Sequence, residues 1–412
     1  MELPVFLEPF ITWFWRKFKE VAHLQLHKKF FGINDSLGAN KSTSSSNRGK
    51  ATRLIYRITR NFNSEKFIRF LEKKQLNSLE NHQVSRKCIE FLEADPPDFL
   101  FFTHQRPPYV VPMVFAANKL NIKTGSFIFS WDNLSSKGRM AAPFDFFLVW
   151  SELMKRELLY FYPKTSSNKV RVVGTPQFEP YVMSEYETEK SVFFKKHELS
   201  SDKKTICYSC GDISTSRNDE LYVEIIATAI AEGKISEPVN LLVRTSPAEE
   251  PERFSFLKDK FPFIRWNYPD WFISRKDHPE PWSQRVPSES DLVDLKGVLN
   301  YSDLSINMCS TMSLDFMLFD KPVINPVFGN EQNGLYNDQR FLNYAHYEKV
   351  VQSGAVAIVK NEEELLREIN FSLKNPDARL KEQKELLKLQ IGEPLKETSQ
   401  RIAETLKQFS GA

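Results

Sequence analysis

From Pro97 onward, short apolar blocks alternate with longer amphipathic stretches. The blocks predict strands over Asp98–Thr103, Thr124–Phe129, Phe144–Trp150 and Val170–Val173. Helices are predicted between them over Tyr109–Leu120 and Glu152–Phe161. A Gly/Pro turn over Gly174–Tyr181 and a polar, acidic stretch to Asp202 interrupt this rhythm and read as an interdomain linker. A second series follows, with strands over Thr205–Cys210, Asn240–Arg244, Ile264–Asn267 and Leu304–Met308. Its helices cover Asp219–Ala231, Glu252–Lys260 and Asp291–Tyr301. A further strand over Ala355–Val359 leads into a helix over Glu362–Leu373. Strands separated by helices of this length pair in parallel. The expected class is α/β, with two doubly wound, Rossmann-like domains facing a cleft at the carboxyl ends of their strands.

The flanks behave differently. Residues 1–96 read as helical and low-complexity, with Ser36–Arg53 expected to be a mobile loop because of its Ser42–Asn47 run. The first domain is placed at 97–180, the second at 181–384. A terminal helix at 385–412 is expected to pack back on the first domain. Arg379–Phe409 reads as one or two charged helices, and Asn267–Glu289, proline-rich and without period, as a loop over a site. The first convincing strand lies near Pro97, so the first domain is expected either to be reduced or to lack its initial strands, the latter leaving a sheet edge open to association.

Composition changes this picture little. The chain has 412 residues, 41% hydrophobic and 26% charged, with a net charge of +3, too small on its own to imply a nucleic-acid partner. Four cysteines do not make a disulfide scaffold, and the Cys207–Cys210 spacing lacks the second pair a zinc site needs. Reduced thiols and a cytoplasmic location are expected. Phe6–Lys19 is aromatic and then basic, so peripheral contact with the inner face of a membrane is a second expectation, weighed against a helix packed on the domain.

Candidate chemistry gathers at strand ends. Ser310, Thr311 and Ser313 form a hydroxyl-rich turn between a strand and a helix, where backbone N–H groups and the helix dipole favour an anion. Asp315, one turn on, suits ribose hydroxyls. The Cys210–Ser216 loop contributes Gly211, Asp212 and Ser214 as further phosphate-facing candidates, and Arg244 ends a strand with a cation. After a first-domain strand, Trp131 offers a platform for a sugar ring, with Asn133 and Lys137 for its hydroxyls or a phosphate. Asp132 is the candidate general base, with His104 as the alternative. His346 is read either as a donor contact or as interface filler.

These motifs resemble the GT-B glycosyltransferases, in the group that includes nucleotide-sugar epimerases and CDP-glycerol glycerophosphotransferases. The resemblance runs from about Pro97 to the C-terminus and is strongest to the surface-polysaccharide branch. It rests on Asp315 preceding Pro322 of Asp320-Lys321-Pro322-Val323, and on Arg244-Thr245-Ser246-Pro247. It implies Asp315 on the donor ribose, Ser310, Thr311 and Ser313 on the pyrophosphate, and Arg244 near the phosphates. Asn307 stands where retaining members carry Glu, which leans the reading toward inversion.

The expected activity is sugar transfer from a nucleotide-sugar donor to a glycan or lipid-linked acceptor. The sugar nucleotide is the substrate, no cofactor is expected, and the lack of an Asp-x-Asp motif points away from a metal-held diphosphate. A nucleotide-sugar epimerase, a polyol-phosphate transferase and a non-catalytic nucleotide-binding scaffold are the rivals.

Overall fold

The structure, a computed structural model, describes residues 5–213, 215–248, 251–276, 284–330, 338–392 and 394–411. The chain forms two compact units. Unit 1 comprises Met1–Pro176, Tyr344–His346 and Leu389–Ala412; unit 2 comprises Gln177–Asn343 and Tyr347–Lys388.

Unit 1 opens with five helices, α1 (Phe10–Leu26), α2 (Phe31–Ala39), α3 (Asn47–Thr59), α4 (Glu65–Asn77) and α5 (Gln83–Ala94). Its strands are β1 (Phe99–Phe102), β2 (Lys123–Phe127), β3 (Phe146–Val149) and β4 (Val170–Val172). Between them lie α6 (Val111–Lys119), α7 (Asn133–Ser136) and α8 (Glu152–Phe161). The four strands are parallel and lie in chain order. That is one half of a doubly wound sheet, and among the described residues no strand precedes β1.

The segment expected to be a mobile loop is mostly helical. α2 runs through Ser36, and Ser46 caps α3 by accepting the Gly49 N–H at 3.1 Å. The serine run misled because serine is a cap as readily as a loop former. α1 packs much of its length on the unit, while its Phe10 and Ile11, and Leu7 before it, stay exposed. Trp13 and Phe18 are buried, Lys19 is fully buried, and Arg16 forks onto Glu8 at 2.7 and 2.8 Å. Lys19 Nζ donates to the Met140 and Ala141 carbonyls at 2.9 and 2.8 Å, and burial pulls its pKa down to about 8. The aromatic and basic residues of α1 are thus largely spent on packing.

Unit 2 carries, in chain order, α9 (Lys190–Lys196), β5 (Lys204–Ser209), α10 (Asp219–Ala231), β6 (Val239–Arg244), α11 (Ser255–Lys260) and β7 (Arg265–Asn267). Next come β8 (Trp271–Ile273), β9 (Arg285–Pro287), α12 (Glu289–Tyr301), β10 (Leu304–Ile306), α13 (Met312–Met317) and β11 (Val323–Pro326). After α14 (Ala345–Ser353), which begins in unit 1, follow β12 (Ala357–Val359), α15 (Glu362–Lys374) and α16 (Leu380–Gln390), which ends in unit 1. The six-stranded parallel sheet has the order β12-β11-β10-β5-β6-β7. Strand order therefore reverses between β5 and β10, the point at which open α/β sheets bind ligands. The proline-rich stretch read as a loop contains the antiparallel hairpin β8–β9, because Trp271 and Arg285 anchor it to Asp291 and the Pro247 carbonyl.

The last helix, α17 (Thr398–Ser410), belongs to unit 1 and packs on β1. Phe409 stacks on Phe146 with ring centroids 4.1 Å apart. All four cysteines are free thiols, and burial pushes Cys88 and Cys207 up to about 11 and Cys210 and Cys309 upward too.

Candidate functional site

The strand-order reversal of unit 2 brings two turns to neighbouring strand ends, because β5 and β10 pair directly through Tyr208 and Ile306. The turn after β10 is set by Asn307, which is fully buried. Its Oδ1 accepts the Ser310 N–H and the Ser313 hydroxyl, both at 3.0 Å, and Asn325 Nδ2 at 3.2 Å. Tyr347 donates to Asn325 Oδ1 at 2.6 Å and lies 3.2 Å from Ser313 Oγ. Cys309 takes φ +48°, a left-handed conformation that costs a non-glycine residue roughly 1 kcal/mol or more and turns the chain sharply.

This network changes the expectation of an open anion cradle. The Ser310, Met312 and Ser313 N–H groups are each bonded within the turn, to Asn307 Oδ1, Ser310 Oγ and the Ser310 carbonyl. Ser313 is buried, whereas Ser310 and Thr311 are half-buried. An isolated strand-to-helix turn leaves such donors open, but the amide side chain inside the turn takes one of them.

Asp315 is buried on α13, and its Oδ1 accepts the Tyr181 hydroxyl. Burial pushes its pKa up to about 7, against the pull of Tyr181 and Arg244. Arg244 is buried as well. Its guanidinium forks onto Asp291 at 3.0 and 2.9 Å and donates to Asn267. Asp291 also accepts Trp271 Nε1 at 2.7 Å, and Asn267 donates onward to Asp294, which accepts from Lys196 and faces His197 at 2.8 Å. The cation expected to face phosphates is thus held inside a polar network. Sequence reasoning missed Asp291 and Asp294; their spacing on one helix, beside a Ser288 cap, was the available signal.

The loop after β5 is tied down by Asp219. This buried carboxylate accepts the Gly211 N–H at 2.8 Å, the Tyr208 hydroxyl at 2.6 Å and the Ser216 hydroxyl. Burial raises its pKa to about 7. Arg253 braces the same loop through the Gly211 carbonyl at 2.8 Å. A Cβ at Gly211 would lie 2.7 Å from Ser216 Cβ, so the close approach requires glycine. Asp212 is half-buried and accepts from Thr215 Oγ1 at 3.0 Å. Ser214 lies outside the described residues.

In unit 1, β1 and β2 bring a second constellation together. Gln105 accepts the Phe129 N–H at 3.2 Å and donates to Asn133 Oδ1 at 2.9 Å, which locks the turn holding Trp131 and Asp132. Trp131 is buried and meets His346 edge-on, with ring centroids 4.9 Å apart. Burial opposes ionisation of Asp132, but His346, Lys137 and the Ser130 and Ser136 hydroxyls outweigh it and hold the carboxyl near 2. Lys137 Nζ lies 3.6 Å from Asp132 Oδ2. Burial drops His346 to about 4, so at neutral pH an ionised carboxylate faces a neutral imidazole. His346, read from sequence as a donor contact or as interface filler, stands in unit 1 with Trp131 and Asp132.

His104 stacks on Phe129 at 4.6 Å, and burial lowers it to about 4. Its Nδ1 accepts the Arg106 N–H at 3.2 Å, which puts the proton of the neutral ring on Nε2. That geometry makes His104 a hydrogen-bond donor to a ligand rather than a ready proton acceptor.

Three comparisons bear on this arrangement. No family model matches the chain. No curated protein matches it. Among solved structures, S. aureus MnaA with UDP aligns at TM-score 0.53 and 14% identity over 82% of each chain. The UDP-GlcNAc 2-epimerase of Methanocaldococcus jannaschii aligns at 0.53 and 15% over the same shares. At that identity the likeness is one of fold, and the fold is GT-B, with two Rossmann-like domains.

Proposed function

We propose that the chain is a nucleotide-sugar-dependent glycosyltransferase acting on a glycan or lipid-linked acceptor. The observation that carries the reading is the strand-order reversal of unit 2, with the Gly211 loop and the Ser310–Ser313 turn ending its two central strands. Doubly wound sheets bind nucleotides there. The likeness to S. aureus MnaA, solved with UDP, supports a uridine nucleotide as the first to test. The donor is the substrate, so no separate cofactor enters the reaction.

In this reading unit 2 holds the donor. Ser310 and Thr311 hydroxyls supply the diphosphate contacts, since most backbone donors of the turn are spent, and Asp315 supports the ribose. Unit 1 supplies the acceptor side, with the buried Trp131 set edge-on against His346 and the Asp132–His346 pair taking the acceptor proton. As the acceptor oxygen bonds to the anomeric carbon, the bond to the diphosphate breaks and its electron pair leaves with the nucleotide. The proton passes to His346, and the ionised Asp132 stabilises the imidazolium that forms. Inversion is the outcome that the GT-B resemblance favours, since Asn307 follows β10 where retaining members carry Glu.

Titration with UDP, GDP, CDP and CMP, followed by nucleotide-sugar turnover with product release measured, tests the reading. No binding of any nucleotide would sink it, and binding without turnover would leave only the scaffold alternative. Asp132→Asn and His346→Ala are each expected to lower turnover by about 10²–10⁴, with His104→Ala within about tenfold. Activity should rise through a limb near pH 4, where His346 becomes neutral, because the proton acceptor must be free. Asp315→Asn should weaken nucleotide binding; unchanged affinity would confine Asp315 to holding Tyr181.

A further inference from the structure

Helices α3 and α4 carry an asymmetry that the donor and acceptor sites do not use. Residues 48–74 hold nine Lys and Arg but two carboxylates, in a chain whose net charge is only +3. The remainder of the protein is therefore net acidic. Both carboxylates point inward: Glu65 accepts from Arg139 at 3.0 and 2.8 Å, and Glu72 lies 3.6 Å from the buried Lys19. The cations are left on the outside.

Each helix buries one stripe and exposes another. α3 packs through Thr52, Ile55 and Thr59, while Arg53, Leu54, Arg57 and Arg60 are exposed at helical spacing. α4 packs through Ile68, Leu71 and Gln75, while Lys66, Arg69, Phe70 and Lys73 form its exposed stripe. Among the described residues, Arg57, Arg60, Lys66 and Lys73 are in no ion pair. Apolar groups stand among them. Phe62, in the turn joining the helices, is 61% exposed and Phe70 is 51% exposed, each with its ring 6.3 Å from that of Phe67. Phe67 is in turn 5.5 Å from the buried Phe18, which backs the exposed rings with a rigid aromatic stack.

We infer that the exposed stripes of α3 and α4 dock on an anionic lipid surface. The charge complementarity is with phosphate headgroups, and the exposed rings supply the apolar insertion that a purely electrostatic partner does not require. The proposed contact lies on α3 and α4 rather than on α1, whose own cations and rings are buried or half-buried apart from Phe10. It stands independently of the proposed reaction.

The test is sedimentation of the full chain with phosphatidylcholine vesicles and with vesicles of phosphatidylcholine and phosphatidylglycerol. Partition is expected only onto the anionic vesicles and should fall as salt is raised. The quadruple substitution Arg57→Gln, Arg60→Gln, Lys66→Gln, Lys73→Gln should weaken it on the order of a hundredfold or more. Phe62→Ser with Phe70→Ser should remove the salt-resistant part. All these side chains are exposed, so the variants should melt with the parent and keep its nucleotide binding. Equal partition onto both vesicle types would overturn the inference, as would variants that bind like the parent. Tighter binding to a single-stranded oligonucleotide than to vesicles, undiminished by the Phe substitutions, would also overturn it and assign the face to a nucleic acid.

Discussion

Arg244, at the end of β6, is held inside unit 2 by Asp291 and Asn267. Its place at a strand end follows from the apolar run Leu241-Leu242-Val243 before it. Its partner Asp291 lies 47 residues away, and nothing local links the two. A buried pair of this kind depends on both members, because removing one strands the other charge out of water. Arg244→Ala should therefore destabilise the protein by about 3–5 kcal/mol in chemical denaturation. Arg244→Lys should recover only part of that, since one ammonium nitrogen cannot serve both Asp291 and Asn267 as Nη2 and Nη1 do. If Arg244→Ala instead kept full stability and lost only nucleotide affinity, the guanidinium would belong to the donor after all. Asp132 and Asp315 illustrate the same limit. Both were readable as carboxylates near strand ends, but one is held near 2 and the other raised to about 7. What separates them is the company each keeps: Lys137 and two hydroxyls beside Asp132, a tyrosine and deep burial around Asp315.

Among the elements, three helices were read most closely. α8 and α10 match their expected spans, and α15 begins at Glu362 as expected, where Asn361 accepts the Glu364 N–H at 2.8 Å. The strands were placed to within a few residues, since fully buried parallel strands announce themselves as apolar runs. The β8–β9 hairpin and α9 were missed, because their sequences lack a clear period and depend on tertiary anchors. The Gly211 loop was legible as glycine at a strand end, but the reason for the glycine was not. Gly211→Ala should cost about 1–3 kcal/mol by overpacking against Ser216, read as a drop in melting temperature. Adding Ser216→Gly would clear the clash but surrender a hydroxyl to Asp219, so recovery should be partial.

At the scale of the whole molecule, the chain forms two units, the first of which takes in the N-terminal helices and the tail. Their titrating groups are sorted by unit in a way no sequence pattern announced. In unit 1, burial lowers His27, His104 and His346 to about 4 and His23 further. Unfolded histidines bind protons near pH 6.5, so unit 1 loses stability as pH falls from there toward 4. In unit 2, burial raises Asp219 and Asp315 to about 7 and Asp338 to about 6. These bind protons in the folded state first, so unit 2 gains stability as pH falls from about 7 toward 4. Calorimetry at pH 7.5 and pH 5 should show the two transitions moving apart, with unit 1 melting earlier in acid. Hydrogen exchange resolved by peptide would assign them, and a uniform shift of both units would refute the sorting.

The four free thiols have a practical side. Each is raised by burial, so almost none is thiolate near neutrality, and the thiolate is the form that alkylating reagents attack. Maleimides should therefore label the native thiols slowly, Cys88 and Cys207 most slowly because both are also buried. A single cysteine introduced at position 66 or 73 could then carry a fluorescent or spin probe without first stripping out the native ones.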